Sequence, residues 1–283
     1  MKKILVAIDF SECSFNALEH AINIANKAEA DVEMMFVIKP DSSREIFTEG
    51  PQTLSSMVKD KFDELLEKYQ PLLMSNNKLS YLIREGKVYH EIVKEADRKD
   101  IFLVMAGTHG ASGFEEFWIG SNANRIVSAL RKPVITIRGG VSVNRNLERI
   151  VLPLDSTPET RQKVPFSAYM AKIFNAEIHI LRLYSSNVQA IIRRIDSYAE
   201  QVVKHLEEEN IRYVLESVHA VNLTESTVEY ALKINANLIS IMTEQEISAR
   251  NLLLGPYAQQ MVNHSPIPVL SIHPKDLLVS LSR

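Results

Sequence analysis

The chain has 283 residues, of which 46% are hydrophobic and 24% charged, a composition typical of a globular protein that fills two ordinary domains. Its formal net charge of −3 gives no broad attraction to nucleic acid or to an anionic membrane surface. The single cysteine, Cys13, excludes a disulfide framework within the chain, and no apolar run approaches the ~20 residues of a membrane span. We therefore expect a cytoplasmic protein without nucleic-acid or membrane partners.

In the first half, short apolar runs alternate with segments whose apolar residues recur at helical spacing. Leu18, Ala21, Ile22 and Ala25 form one such helical face. The strand-like runs are continuously apolar, which is typical of a parallel sheet covered by helices on both faces. In chain order the pattern predicts strand Ile4–Ile8, helix Ala17–Ala28, strand Val32–Ile38, helix Leu54–Leu73, strand Leu79–Ile83, helix Val88–Ala96, strand Ile101–Ala106, helix Ser121–Leu130 and strand Val134–Ile137.

The second half repeats the first. Lys3–Asp9 is similar to Arg149–Asp155, and Lys132–Ile137 is similar to Ile267–Ile272. The numbering offset falls from 146 (149 against 3) to 135 (267 against 132), so the second copy is shorter by 11 residues. The polar stretch Pro40–Pro51 is the segment that the second copy lacks.

A repeat of about 140 residues is domain-sized, so it indicates a duplicated domain rather than a solenoid. We predict domains at residues 1–142 and 143–283, joined through the linker Gly139–Asn146. Each is expected to be an α/β domain with a doubly wound, five-stranded parallel sheet.

A glycine-bearing loop follows the predicted strand Ile101–Ala106 and leads into the helix that begins at Ser121. It contains Gly107, Gly110 and Gly120. In open α/β sheets, ligands bind where strands end and helices begin. Glycines let backbone N–H groups approach a phosphate closely, and a helix N-terminus adds unpaired donors and a favourable dipole. The layout therefore favours an anionic ligand at this loop.

The spacing Gly-x2-Gly-x9-Gly-Ser resembles the ATP-binding motif of the universal stress protein family, and the resemblance covers nearly the whole chain as two copies. It implies a Rossmann-like, adenine-nucleotide alpha-hydrolase-like fold and a ligand that is ATP, AMP or ADP, with or without Mg²⁺. In the family, an aspartate after the first strand contacts the nucleotide, the end of the second strand lines the adenine pocket, and the glycine loop wraps ribose and phosphates. Matched residue by residue, the positions that the resemblance implies for these contacts are Asp9, Val37, Gly107, Thr108, His109, Gly110, Gly120, Ser121 and Asn122.

Simpler interpretations exist for several of these residues. Asp9 could accept hydrogen bonds from amides at the start of the first helix, and the glycines could be ordinary turn residues. His109 has no companion carboxylate or nucleophile in a recognisable arrangement, so no catalytic role follows. Glu115 and Glu116 lie inside the nine-residue spacer, where they would either repel phosphates in the absence of Mg²⁺ or simply face water.

The second half has lost this motif. Gln245 in place of a glycine restricts the backbone, and Pro256 in place of serine removes an N–H donor and a hydroxyl. Asp155 remains, but Thr157 could cap a helix that begins at the following proline. We therefore predict one nucleotide site per chain, in the first domain. The positions that match the loop are Met242, Thr243, Glu244, Gln245, Gly255 and Pro256.

The leading hypothesis is a stress-response regulatory or interaction protein that binds an adenine nucleotide in its first domain. The alternatives are a nucleotide-free protein-interaction module and a slow ATPase; no Gly-x4-Gly-Lys-Ser/Thr phosphate loop is present. Family members commonly dimerise through their last strands. The resemblance therefore implies pairing through Val134–Ile137 and Val269–Ile272, either between the two domains of one chain or in a homodimer.

Overall fold

A computed structural model describes residues 1–39, 51–74, 76–108, 121–138, 146–243, 245–248 and 251–274, with side chains described throughout except at 51–53, 121–122, 245–248 and 251–253. The chain divides into two compact units, Met1–Gly140 and Val141–Arg283, which we call the N-terminal unit and the C-terminal unit. No helix in these ranges is both long enough and apolar enough to cross a membrane.

The N-terminal unit alternates strands and helices as the sequence predicts. Its described strands pair in parallel in the order β3-β2-β1-β4-β5. This order confirms the doubly wound fold and places the topological switch point between β1 and β4. In chain order the elements are β1 Lys3–Ala7, α1 Glu12–Ala28, β2 Asp31–Ile38, α2 Pro51–Tyr69, a 3-10 turn Gln70–Leu72, β3 Leu79–Glu85, α3 Val88–Ala96, β4 Ile101–Gly107, α4 Ser121–Ala129 and β5 Val134–Ile137.

Helix α1 shows how local signals set these bounds. It begins at Glu12 rather than at the predicted Ala17, because Ser11 caps it: the Ser11 hydroxyl oxygen accepts the backbone N–H of Ser14 at 3.2 Å. The helix ends at Ala28, and the following C-cap residue, Glu29, adopts the left-handed conformation with φ of 52°. Its apolar face is fully buried, so the helix is fixed on the sheet from its first turn to its last.

The C-terminal unit repeats this arrangement with the strand order β8-β7-β6-β9-β12. The repeat extends to detail, since Asn175 ends helix α5 in the same left-handed conformation as Glu29, 146 residues earlier (175 against 29). The tandem arrangement is therefore confirmed. The elements are β6 Arg149–Leu154, a 3-10 turn Pro158–Arg161, α5 Val164–Phe174, β7 Glu177–Tyr184, α6 Gln189–Glu208, β8 Tyr213–His219, α7 Leu223–Lys233, β9 Leu238–Met242, β10 Gln245–Ser248, β11 Asn251–Leu254, α8 Pro256–His264 and β12 Val269–Ile272.

Two features of the C-terminal unit differ from the expectation. Strands β10 and β11 form an antiparallel hairpin, with Gln245 opposite Leu254, in the segment that matches the glycine loop. The α-helix after β6 starts only at Val164, because a 3-10 turn occupies the preceding residues. Thr157 stands at the N-cap of the 3-10 turn that begins at Pro158, as predicted, but its side chain makes no cap hydrogen bond and its hydroxyl donates to Asp155 Oδ1 instead.

Candidate functional site

Three of the predicted contact residues lie level with one another at one edge of the N-terminal unit's sheet. The last residue of β1 lies beside Met35 of β2 and Ala106 of β4. Asp9, Val37 and Thr108 each follow these positions by two residues, on three adjacent parallel strands. The carboxyl ends of β2, β1 and β4 therefore bring the three residues together at the switch point, where open α/β sheets bind ligands.

Asp9 is exposed and takes part in a tight local turn. Its Oδ1 atom accepts the backbone N–H of Ser11 at 3.0 Å and the Ser11 hydroxyl at 2.5 Å. Ser11 in turn caps helix α1, so Asp9 orients the residue that begins the helix. The simpler interpretation of Asp9 is thus present in the structure, with the carboxylate still accessible to solvent at the sheet edge.

The C-terminal unit contains the same turn. Asp155 Oδ1 accepts the backbone N–H of Thr157 at 2.7 Å and the Thr157 hydroxyl at 2.5 Å. Because both units share this arrangement, the aspartate and its turn do not by themselves distinguish the two units. The distinction must come from the neighbouring strands and loops.

Phe10 has an unusual backbone conformation that the sequence did not reveal. Its φ of 62° lies in the left-handed region, which costs a residue with a side chain roughly 1–2 kcal/mol. The ring packs against Phe36 at 5.1 Å and Phe62 at 5.3 Å between centroids, and the Lys61 ammonium lies 5.0 Å above it. This aromatic packing holds the turn that carries Asp9.

Val37 lies on the opposite face of β2 from Phe36, because successive side chains of a strand alternate. It is 7% exposed and close to the end of the strand. It therefore offers a small apolar surface at the ligand-binding edge, as the resemblance implied for the base pocket.

Gly107 has a packing role that the sequence did not reveal. A Cβ at this position would lie 2.8 Å from Cys13 Cβ, closer than real Cβ atoms approach, and 3.0 Å from the Cys13 carbonyl carbon. Glycine thus lets the end of β4 touch the first turn of α1. The next residue, Thr108, is 2% exposed and donates its backbone N–H to the Ile137 carbonyl at 2.9 Å.

The remaining predicted contacts are only partly within the described residues. His109, Gly110 and Gly120 lie outside them. Ser121 begins helix α4 and Asn122 follows it, but the side chains of both lie outside the described part of the structure. A further residue of the first turn of α4, Asn124, has a buried side-chain oxygen without a hydrogen-bond partner. Within the described part of the chain no donor reaches this oxygen, which could accept a hydroxyl or amino group.

The corresponding edge of the C-terminal unit is chemically different. The Tyr184 hydroxyl donates to Asp196 Oδ1 at 2.5 Å, and Arg182 Nη1 donates to the same oxygen at 3.0 Å. Burial, together with the hydrogen bond to Asp196, raises the pKa of Tyr184 to about 12, so it stays a neutral donor. The counterparts in the N-terminal unit, 146 residues earlier, are Ile38 for Tyr184 and Phe36 for Arg182.

The loop segments differ as well. In the C-terminal unit the β10–β11 hairpin pairs backbone N–H and C=O groups with each other. Amides that are used in this way are not available to cradle a phosphate. At the end of β9, Met242 stands where the N-terminal unit has Gly107, while Thr243 donates to the Ile272 carbonyl at 2.9 Å just as Thr108 donates to Ile137.

Comparisons with known proteins agree with this geometry. The model of the universal stress protein family matches twice, at residues 1–138 and 146–273. A universal stress protein of Methanocaldococcus jannaschii is 31% identical over 139 residues, covering 48% of this chain and 82% of the relative. One from Bacillus subtilis is 27% identical over 149 residues, covering 48% of this chain and 98% of the relative.

Solved structures show the same fold over both units. The crystal structure of a universal stress protein from Archaeoglobus fulgidus is similar with a TM-score of 0.73 and 18% identity, covering 96% of this chain and 98% of the other. A putative universal stress protein from Pseudomonas aeruginosa gives a TM-score of 0.69 and 17% identity, covering 99% of this chain and 95% of the other. Because the family model matches both halves, the chain belongs to the universal stress protein family as a two-copy member.

Proposed function

We propose that the N-terminal unit binds ATP or another adenine nucleotide (AMP or ADP) at the carboxyl edge of its sheet, and that the C-terminal unit does not. The observation that supports this proposal is the alignment of Asp9, Val37 and Thr108 at the switch point, directly before the glycine-bearing segment that leads into α4. The family membership adds the expectation of a stress-response role.

Each part of this edge suits one part of the nucleotide. The apolar surface at Val37 suits the base, and the exposed carboxylate of Asp9 can accept hydrogen bonds from ribose hydroxyls. Backbone amides at Gly110 and Gly120 and at the N-terminus of α4, with Ser121, would donate to phosphate oxygens. No three His, Cys, Asp or Glu side chains converge as metal ligands within the described ranges, so Mg²⁺ would arrive with the phosphates.

We propose that binding shifts a conformation or an interaction rather than driving a fast reaction. His109 has no partner residue in the sequence that would make it a general base, and slow ATP hydrolysis is the most that this proposal includes. The protein would act in the cytoplasm, with its two domains paired through β5 and β12 or with the whole chain as a homodimer. Both pairings rest on the resemblance, because members of the family commonly dimerise through their last strands.

One observation favours a second candidate, a nucleotide-free interaction module. Asp9 is already engaged by Ser11, and the C-terminal unit, which lacks the glycine loop, has the same turn at Asp155. In this alternative the aspartate serves only to start the helix in each unit.

The two candidates are separated by the thermal midpoint of the purified chain with and without millimolar Mg·ATP. A ligand that binds only the folded state at a hundredfold excess over its Kd stabilises it by about 2.7 kcal/mol. We expect this shift in the parent, its loss in Gly110→Gln, which copies Gln245, and its reduction in Asp9→Asn. Asp155→Asn is the matched control, since it changes the same turn in the other unit and should keep the full shift.

The nucleotide-free alternative predicts a different set of results. ATP, ADP and AMP would all leave the midpoint unchanged, and the pure protein would carry no nucleotide. Equal losses in Asp9→Asn and Asp155→Asn would also contradict a site confined to the N-terminal unit. Phosphate release measured in the same samples tests slow hydrolysis, which must vanish in Gly110→Gln if this site is responsible.

A further inference from the structure

A buried histidine of the C-terminal unit joins strand β7 to helix α7. His179 is 7% exposed. Its Nε2 atom lies 3.0 Å from Glu177 Oε1, and its Nδ1 atom lies 2.9 Å from the hydroxyl oxygen of Tyr230. Because Glu177 begins β7 and Tyr230 lies in the second half of α7, this chain of hydrogen bonds crosses from the sheet to the helix.

The two partners determine where the ring proton lies at neutral pH. An ionised carboxylate can only accept, so Nε2 carries the hydrogen and donates it to Glu177, while Nδ1 accepts the Tyr230 hydroxyl. A protonated ring would donate from both nitrogens, and the bond to Tyr230 would have to reverse. In the part of the chain that the structure describes, the Tyr230 hydroxyl has no second hydrogen-bond partner. Its hydrogen would therefore lose its acceptor in a buried place, which costs free energy.

The charges around His179 do not favour a protonated ring. Burial lowers the pKa of His179, Glu177 raises it, Arg149 on β6 lowers it and Glu216 on β8 raises it, and the net result lies below the usual 6.5. The Glu177 side chain is 30% exposed, so water screens the attraction that it offers to a charged ring. If α7 moved away, water would reach the ring and return its pKa towards the usual value. A fall in pH therefore favours the displaced helix.

The N-terminal unit holds the matching helix without a histidine. Glu33 stands where the other unit has His179, at the offset of 146 (179 against 33). Glu95 of α3 stands where it has Tyr230, at the offset of 135 (230 against 95). Arg98 joins the two carboxylates, at 2.7 Å from Glu33 and 2.5 Å from Glu95. Although burial opposes it, hydrogen bonds from arginine lower the pKa of Glu95, so this network keeps its charges in mild acid.

Helix α7 in turn holds helix α8. Thr224 Oγ1 donates to Gln260 Oε1 at 2.9 Å, and Thr227 Oγ1 lies 3.2 Å from the Tyr257 hydroxyl oxygen. Helix α8 begins directly after the β10–β11 hairpin. A displacement of α7 thus removes contacts that fix the first half of α8, next to the segment that matches the glycine loop.

We propose that Glu177, His179 and Tyr230 form an acid-responsive switch, in which protonation of His179 releases α7 from β7 and loosens α8. The switch belongs to the C-terminal unit, because the matching positions of the N-terminal unit carry a permanent ion network instead. It does not depend on the proposed nucleotide site.

The test is hydrogen exchange of the full chain at pH 7.0 and pH 5.0, corrected for the intrinsic exchange rates and read by mass spectrometry. The chain carries His20→Leu, so that the other buried histidine described below adds no pH dependence. We expect opening of α7 to increase about threefold or more at pH 5.0, with a limit of roughly twenty-five-fold for a ring of pKa 6.5 that is protonated only when exposed. The first half of α8 should follow, whereas α3 in the same sample should show no such increase.

Two variants in the same background test whether the ring charge is the cause. His179→Gln cannot be protonated and should lose the response of α7. Glu177→Gln removes the carboxylate that favours the charged ring, so it should enlarge the response. A histidine that only fills space would not produce these opposite effects.

The switch is overturned if α7 exchanges alike at both pH values, if α3 responds as strongly as α7, or if the response persists in His179→Gln. An equal or smaller response in Glu177→Gln would also overturn it. If His179→Gln fails to fold, the comparison of Glu177→Gln with the His20→Leu chain decides alone, because Glu177 is partly exposed and its replacement disturbs packing less.

Discussion

Gly107 at the end of β4 and Cys13 in the first turn of α1 are so close that a Cβ on Gly107 would lie 2.8 Å from Cys13 Cβ. This contact fixes the helix that begins just after Asp9 against the strand that leads into the glycine loop. In the C-terminal unit Met242 takes the place of Gly107, and the first turn of the matching helix is not α-helical. The unit with glycine at this position thus has a helix that starts with an α-helical turn, and the unit with methionine has one that is preceded by a 3-10 turn.

We expect Gly107→Ala to destabilise the protein by about 1–3 kcal/mol, because the new methyl group must displace the first turn of α1. The same displacement moves Ser11 and Asp9, so nucleotide-dependent stabilisation should fall as well. Chemical denaturation with and without Mg·ATP measures both effects.

Met242→Ala in the C-terminal unit is the control for a size change at the matching position. It should alter stability without changing the response to nucleotide. A Gly107→Ala protein as stable as the parent would mean that the contact with Cys13 is not as tight as the structure shows.

Phe10 gives a prediction about backbone strain. Its left-handed φ of 62° disfavours any side chain, whereas its ring contributes packing with Phe36 and Phe62. Phe10→Ala loses the packing and keeps the strain, while Phe10→Gly loses the packing and relieves the strain. We expect Phe10→Gly to be the more stable of the two by about 1 kcal/mol, the reverse of the usual order for these residues. Urea denaturation of both variants measures this difference. If Phe10→Ala is more stable than Phe10→Gly, the backbone at Phe10 is not strained.

His20 makes stability depend on pH. It is 4% exposed, its Nε2 atom meets no hydrogen-bond partner among the described residues, and burial lowers the pKa of His20 from 6.5 to about 4. Between these values the unfolded chain binds a proton that the folded protein does not, so stability is lost as pH falls from 6.5 towards 4. The shift corresponds to a loss on the order of 3 kcal/mol.

Denaturation series at pH 7.0 and pH 5.0 test this dependence, with His20→Leu as the variant that removes the titrating group. Burial also lowers the pKa of His179, although Glu177, 3.0 Å away, opposes the shift. A smaller dependence of the same sign should therefore remain in His20→Leu and disappear in the double variant with His179→Gln. A parent whose stability is flat between these pH values would contradict the burial of both histidines.

A buried carboxylate ties together the opposite edge of the N-terminal sheet. The Glu33 side chain, 6% exposed, accepts Lys3 Nζ at 2.9 Å and Arg98 Nη1 at 2.7 Å. We expect Glu33→Gln to cost about 1–3 kcal/mol, because Lys3 and Arg98 each lose one charged partner. The cost stays moderate because Arg98 is partly solvated and keeps Glu95 and Asp100, and Lys3 keeps Asp100 at 3.8 Å.

The exposed pair Lys172–Glu209 provides the control for this prediction. Glu209→Gln should not change the denaturation midpoint measurably, because water and salt screen an exposed pair. Nucleotide-dependent stabilisation should persist in Glu33→Gln, since this network lies at the edge of the sheet away from Asp9. Equal losses of stability in Glu33→Gln and Glu209→Gln would show that burial does not strengthen the ion pairs of Glu33.

The sequence by itself determined the tandem repeat, the alternation of strands and helices, and the position of the glycine-bearing loop after the fourth strand. These features are encoded locally: continuous apolar runs, helical spacing and the similarity of Lys3–Asp9 to Arg149–Asp155 are visible without knowledge of any long-range contact. The order of the strands within each sheet came from the structure, although a doubly wound sheet leaves few alternatives.

Only the tertiary structure decided the roles of particular side chains at the strand ends. The shared turn at Asp9 and Asp155, the left-handed Phe10 and the contact of Gly107 with Cys13 depend on which elements pack together. The burial of Lys163 likewise could not be predicted, since a lysine in sequence is normally a solvated residue. Such properties arise from register and packing between residues far apart in the chain, which periodicity and composition do not encode.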